Sequence, residues 1–217
     1  MLLLSGCSSP APSPAPPVVV TLGDSVPAGT ACACTPFPDL YANLLSPRAA
    51  SINLAQPGFE TTDVQQQVGA DDIRADIRSA SVVVVMAGAN DMASAFDDHD
   101  DYPATARVVE STVTSIVDTV RREHGSPVDV LVLGYWNVVE DGEVGLSTYG
   151  PDGLAEAKQA TRYCNDALRR AAEHSGATYL DTSVAFADDP TGLLAPDGDH
   201  PNAAGHEAIA GMLYDHR

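Results

Sequence analysis

The chain has 217 residues, and its 30 Asp and Glu against 11 Lys and Arg leave a formal net charge of -19. At roughly 150 residues per domain, that length allows one ordinary domain with a tail and excludes a large multidomain machine. A charge of this sign repels phosphate backbones and anionic lipid surfaces, so nucleic acid is not an expected partner.

Hydrophobic residues make up 44% of the chain, which is enough for a packed core and too many for a disordered protein. No run reaches the ~18 to 20 apolar residues that span a bilayer. Residues 1–17, MLLLSGCSSPAPSPAPP, carry no charge and are rich in proline, so they cannot enter a packed helix or sheet. They read as a signal or lipobox remnant followed by a linker. Leu4-Ser5-Gly6-Cys7 resembles a bacterial lipobox, whose cysteine is lipidated after cleavage and tethers the domain to a membrane. The positive n-region is missing and the apolar stretch is short. Either way the leader reads as export, to the cell envelope or the medium, with the folded domain at 18–217.

The first predicted strand is Val18–Leu22, and the others are Ser51–Ala55, Val82–Met86, Val128–Leu133 and Ala177–Leu180, each bounded by turn residues. Cys32 and Cys34 follow the first strand. In an oxidising compartment one of them is expected to pair with Cys164, unless Cys164 is a buried small hydrophobe on its helix. Neither the Cys-x-Cys pair nor the isolated Cys164 has His or Cys neighbours at zinc spacing, so no metal site is expected. Between the strands lie helical periods. Phe37, Leu40, Tyr41, Leu44 and Leu45 form the first. Thr62 and Gln65 have the spacing of a capping box that opens a second. Val109, Val113, Ile116, Val117 and Val120 repeat in a long helix that stops at Gly125 and Pro127. Another carries Leu154, Ala157, Thr161, Cys164, Leu168 and Ala171 and ends at Gly176, and the last carries Ile209, Met212 and Leu213.

Strands alternating with helices, and nearly continuous in apolar residues, imply a parallel sheet covered on both faces: a three-layer α/β/α sandwich. Ligands of such sheets sit at the carboxyl ends of the strands. There the chain places Gly23-Asp24-Ser25, Gln56-Pro57-Gly58, Gly88-Ala89-Asn90-Asp91 and Asp197-Gly198-Asp199-His200. A hydroxyl, an imidazole with a carboxylate three residues before it, a glycine N–H and a carboxamide are the parts of nucleophilic acyl transfer.

In these four blocks, in this order, the sequence resembles the GDSL/SGNH hydrolases. Gly23-Asp24-Ser25-Val26 stands for the first block with valine in place of the usual leucine, Gly58 for the second, Gly88 to Asp91 for the third and Asp197 to His200 for the last. The resemblance implies a five-stranded parallel, flavodoxin-like sheet and a serine esterase without a cofactor or metal. It assigns Ser25 as nucleophile, His200 as its base and Asp197 as the carboxylate that orients the base, with Asp199 left as a turn residue. It makes the backbone N–H groups of Ser25 and Gly58 and the side-chain amide of Asn90 the oxyanion donors. In isolation Asn90 could equally cap a helix and Gly58 serve a turn. Asp24 and Asp91 read as caps or braces, and His206 as a surface or packing residue.

The substrate is expected to be a small neutral ester. The segment 134–151, with Tyr135, Trp136 and Tyr149, reads as a long loop at the ligand edge that contacts substrate or simply packs. Leu193, Leu194 and Ala195 would wall an acyl pocket. Residues 97–101 read as a solvated acidic loop rather than a calcium site. Two alternatives remain: a carbohydrate O-acetylesterase, and a noncatalytic tethered binding lipoprotein.

Overall fold

A computed structural model describes residues 15–186 and 190–217. The lipobox and Cys7 lie outside the described residues. Five strands form one parallel sheet: β1 (Val18–Gly23), β2 (Ala50–Asn53), β3 (Val82–Met86), β4 (Asp129–Leu133) and β5 (Thr178–Leu180), in the order β2-β1-β3-β4-β5. The strand of unbroken β-branched residues takes the centre. In β3, Val82 to Val85 and Met86 are all buried, because helices cover both faces and no position along the strand meets water.

Chain direction explains where a site can form. From β1 the chain moves outward to β2, and from β3 it moves the other way to β4. The carboxyl ends of the adjacent β1 and β3 are therefore the switch point of the sheet, where diverging connections leave a crevice.

The helices are α1 (Ser25–Ala28), α2 (Phe37–Leu45), α3 (Thr61–Val68), α4 (Asp71–Ser79), α5 (Ala89–Asp98), α6 (Tyr102–His124), α7 (Gly142–Ser175), α8 (Ser183–Phe186) and α9 (Ala203–Asp215). On one side of the sheet α2 packs with α9; on the other, α6 packs with α3, α4, α5 and α7. The predicted apolar stripe of α6 is fully buried at Val109, Val113, Ile116, Val117 and Val120, and the helix ends at Gly125 with φ 75°. The stripe of α7 is buried at Ala157, Thr161, Cys164, Leu168 and Ala171. No helix among the described residues is long and apolar enough to cross a membrane.

Three expectations change. The capping box of α3 sits earlier than predicted: Glu60 is the cap and Asp63 its partner, so Thr62 and Gln65 are ordinary helical residues. The segment 134–151 is largely helical. Helix α7 starts at Gly142, kinks at Gly150 (φ 68°, ψ -178°) ahead of Pro151 and resumes. The predicted pairing of Cys164 does not occur. Cys164 is a free, fully buried thiol on α7, while Cys32 is bonded to Cys34. The alternative reading of Cys164 as a buried hydrophobe describes it.

Candidate active site

Three of the four blocks follow a strand and the fourth precedes α9, each in a conformation that only part of its sequence reveals. Gly23 ends β1 at φ 154°, and a Cβ there would stand 2.1 Å from the carbonyl oxygen of Met86. The next N–H, of Asp24, donates to that carbonyl at 3.1 Å, pinning the first block against the end of β3. Asp24 then caps α1 by accepting from the N–H of Val26 at 3.0 Å. Ser25 is the first residue of that helix and is partly exposed between two buried neighbours. Its N–H is one of those that no intrahelical carbonyl meets.

Gly58 lies in an exposed turn after β2 at φ 83°, and a Cβ there would touch nothing within 4 Å. Its left-handed backbone, not crowding, calls for glycine. Helix α5 begins after β3. Its cap is Gly88, so Asn90 stands inside the first turn and caps nothing. Instead its Nδ2 donates to the carbonyl of Phe59 at 2.8 Å, tying the third block to the residue after Gly58. Asp91 accepts from both the N–H (2.9 Å) and the hydroxyl (2.6 Å) of Thr61, which anchors the Gly58 turn at the start of α3.

The fourth block is a closed loop. The N–H of Ala195 donates to the carbonyl of His200 at 2.7 Å, and the N–H of Asn202 to that of Leu193 at 2.9 Å. Inside it, Oδ1 of Asp197 accepts from the N–H groups of Asp199 and His200 at 3.1 Å each, while Oδ2 lies 2.9 Å from Nδ1 of His200. Asp199 comes only within 3.7 Å of the same nitrogen, too far for a hydrogen bond. Partial burial acts to raise the Asp197 carboxyl, but the bonds from His200 and the two backbone donors prevail and hold it below the ordinary carboxylate value.

Two residues of the site escape a reading of local motifs. Tyr135, grouped above with possible substrate contacts, is 1% exposed and donates its hydroxyl to Asp24. Asn165 of α7 holds its backbone from both sides, accepting from the Tyr135 N–H at 2.8 Å and donating to its carbonyl at 2.7 Å. Trp136 stacks on Phe186 with ring centroids 3.9 Å apart, and Tyr149 meets Phe96 edge-on at 5.1 Å. Both Trp136 and Tyr149 are half-buried. Leu194 and Ala195 are buried and line a cavity of about 290 Å³ together with Val144, Pro196 and Gly198, next to Asp197.

One further group forms that spacing along the chain did not suggest. His206 of α9, 172 positions beyond Cys34, is fully buried and lies against the Cys32–Cys34 turn, where the three residues could hold a metal ion. Spacing along the chain could not place this histidine, which the pairing of α9 with α2 brings to the turn. Burial, aided by the charge of His200, holds the His206 imidazole down to about 4, so the ring is neutral at physiological pH.

The sequence pattern of the GDSL-like Lipase/Acylhydrolase family matches residues 21–208, which include all four blocks. The chain belongs to this family. The hydrolase acts, at the level of the family, on carboxylic esters. No curated protein matches its sequence. Its fold is similar to that of the lipase Lip_vut3 from a goat rumen metagenome, with a TM-score of 0.76, 18% identity and coverage of 92% of this chain and 96% of that one. The hydrolase is also similar to a catalytic mutant of Axe2, an acetylxylan esterase from Geobacillus stearothermophilus (TM-score 0.67, 18% identity, 92% and 93% covered). A third similar structure is phospholipase A1 from Streptomyces albidoflavus NA297 (TM-score 0.67, 22% identity, 93% and 99% covered).

Proposed function

We propose that the hydrolase cleaves small neutral carboxylic esters through an acyl-enzyme on Ser25, with His200 as base, Asp197 as the group that orients it, and Ser25, Gly58 and Asn90 as oxyanion donors. The observation that supports this most directly is the bonding of Asp197. One oxygen is occupied by two backbone N–H groups, so the carboxylate cannot turn, and the other meets Nδ1 of His200 at 2.9 Å. That contact places the ring proton on Nδ1 and leaves the Nε2 lone pair to accept a proton from the serine hydroxyl.

In the first half-reaction Oγ of Ser25 adds to the ester carbonyl while its proton passes to Nε2 of His200. The carbonyl oxygen becomes an anion and is met by the N–H groups of Ser25 and Gly58 and by Nδ2 of Asn90, which has a second hydrogen beyond the one given to Phe59. Collapse breaks the carbon–oxygen bond to the alcohol, which leaves with the proton from His200. Water then repeats the sequence on the acyl-enzyme and restores Ser25.

A clustered acidic charge supports neutral over anionic substrates. Residues 91–101 alone hold five aspartates and no Lys or Arg. A chain-length series of p-nitrophenyl esters set against acetylated sugars separates a general esterase from a carbohydrate O-acetylesterase. Export, with Cys7 lipidated, is the corresponding reading of the leader; labelled palmitate incorporated by the full chain and lost in Cys7→Ala tests it.

The assignment itself rests on Ser25→Ala and His200→Ala. Each is expected to remove nearly all turnover of p-nitrophenyl acetate with the fold intact by circular dichroism. Stoichiometric labelling of Ser25 by a fluorophosphonate excludes an idle binding pocket. Turnover retained in Ser25→Ala overturns the role.

A further inference from the structure

Cys32 and Cys34 stand in the turn between α1 and α2, separated by one residue, with Cα atoms 5.0 Å apart. Both are half-buried, so they form the outer wall of a small group whose floor is His206, which is fully buried. One sulfur from each cysteine and one ring nitrogen of His206 all lie within 4.8 Å of one another. The ring is incompletely bonded. Its Nδ1 accepts from the N–H of Phe37 at 3.2 Å, the long end of the range, and its Nε2 is a buried polar atom with no hydrogen-bond partner. A buried ring nitrogen in that condition, set beside two sulfurs, is the donor set of a thiophilic cation.

We propose that, while Cys32 and Cys34 are thiols, the chain binds one zinc ion through their two sulfurs and a ring nitrogen of His206. Water fills the fourth position from the exposed side of the turn. Zn–S and Zn–N lengths of about 2.3 and 2.0 Å set ligand atoms roughly 3.5 to 3.8 Å apart in a tetrahedron. The two sulfurs, bonded to one another in the structure, therefore have to part to about 3.8 Å once reduced, while the His206 nitrogen, within 4.8 Å of both, closes on them by up to about an ångström.

The proton balance is closed. Zn²⁺ and two thiols give a neutral zinc bis-thiolate and two released protons, with no electron transferred. The neutral imidazole carries one proton. Ligation at Nε2 moves that proton to Nδ1, and ligation at Nδ1 takes the lone pair that Phe37 uses, so in both cases one long hydrogen bond is exchanged for a metal bond. Disulfide formation is the competing fate of the same two sulfurs. It removes two electrons and two protons to an oxidant and closes the site. The proposal does not depend on the roles of Ser25 and His200.

The test uses the full chain held in the thiol form by a phosphine reductant under nitrogen, with Co²⁺ as the optical probe. One equivalent is expected to give sulfur-to-cobalt charge-transfer absorption in the near ultraviolet and strong tetrahedral bands in the visible. Zn²⁺ should abolish both. The double variant Cys32→Ser/Cys34→Ser, which alters only the half-buried wall, should lose the charge-transfer band, and His206→Gln should weaken cobalt binding at least tenfold. The disulfide form should show no such band. Absence of the band in the thiol form overturns the proposal. So does its survival in the double cysteine variant, which would trace it to Cys7 or Cys164, and so does cobalt binding without thiolate absorption, which would trace it to surface carboxylates.

Discussion

The hydroxyl of Tyr135, just past β4, donates to Oδ2 of Asp24, just past β1, at 2.5 Å, bridging the central strand β3. Both residues are 1% exposed. The pair fastens the turn that carries Ser25 to the far half of the sheet.

Burial is the largest influence on Asp24 and pushes its carboxyl up from 3.8 to about 7, against the opposing bonds from Tyr135 and Val26. A carboxyl whose pKa is raised by folding favours the folded state most at low pH, where it is neutral in both states. That advantage is lost as pH rises from about 4 to about 7, because the unfolded chain ionises first. Asp24→Asn keeps the cap and the acceptor but cannot ionise. Its urea-unfolding free energy is expected to fall less than that of the parent across this window, by an amount on the order of a few kcal/mol. Tyr135→Phe leaves the carboxylate without its donor and is expected to cost about 1 to 3 kcal/mol at pH 8. Parallel unfolding curves for Asp24→Asn and the parent at every pH would remove this account.

The two aspartates near His200 should separate sharply in kinetics. Asp197 holds Nδ1 at 2.9 Å and Asp199 does not hydrogen-bond it. Asp197→Asn is expected to lower kcat by on the order of 10⁴, as loss of the orienting carboxylate does elsewhere, whereas Asp199→Asn should change it less than tenfold. Steady-state hydrolysis of p-nitrophenyl butyrate checks both, and equal losses would mean that the pair acts as a unit.

Asn90 gives one amide hydrogen to Phe59 and keeps another. Asn90→Ala is expected to lower kcat by about 10² to 10³ with little change in KM, the pattern of a donor used in the transition state. A rise in KM alone would mean that the amide only positions the Gly58 turn.

Gly23 combines a positive φ with a carbonyl 2.1 Å from where a Cβ would stand. Gly23→Ala forces β1 and β3 apart at the point where Asp24 is pinned, and a loss of more than about 3 kcal/mol is expected. Thermal unfolding measures it. A small loss accompanied by a large drop in kcat would show that the turn, and not the sheet, absorbs the strain.

Much of the sheet was legible because the signals are local. Val82 to Val85 read as a buried strand, and the period of Val109 to Val120 defined a helix whose buried face needs no knowledge of its neighbour. The alternation of the two implied a parallel sheet and hence its active edge, and the four blocks at that edge carried the family. Helix α7 was legible only in its second half. Gly145, Gly150, Pro151 and Gly153 break the helical pattern of 142–153, which the packing of Tyr149 on Phe96 nevertheless holds.

The sequence by itself determined the five strands, the helical periods of 37–45, 109–120, 154–171 and 209–213, and the short blocks at the strand ends, since hydrophobic period and turn chemistry act over a few residues. Tertiary structure alone decided that Tyr135 belongs to Asp24, that Asn90 ties down Phe59, and that Cys32 and Cys34 face His206 rather than Cys164. Those pairs are 111, 31 and about 170 positions apart. No local preference distinguishes a tyrosine that will contact substrate from one that will brace a buried carboxylate. The choice is made by which elements the sheet order brings side by side, and by the cost of leaving a buried polar atom without a partner.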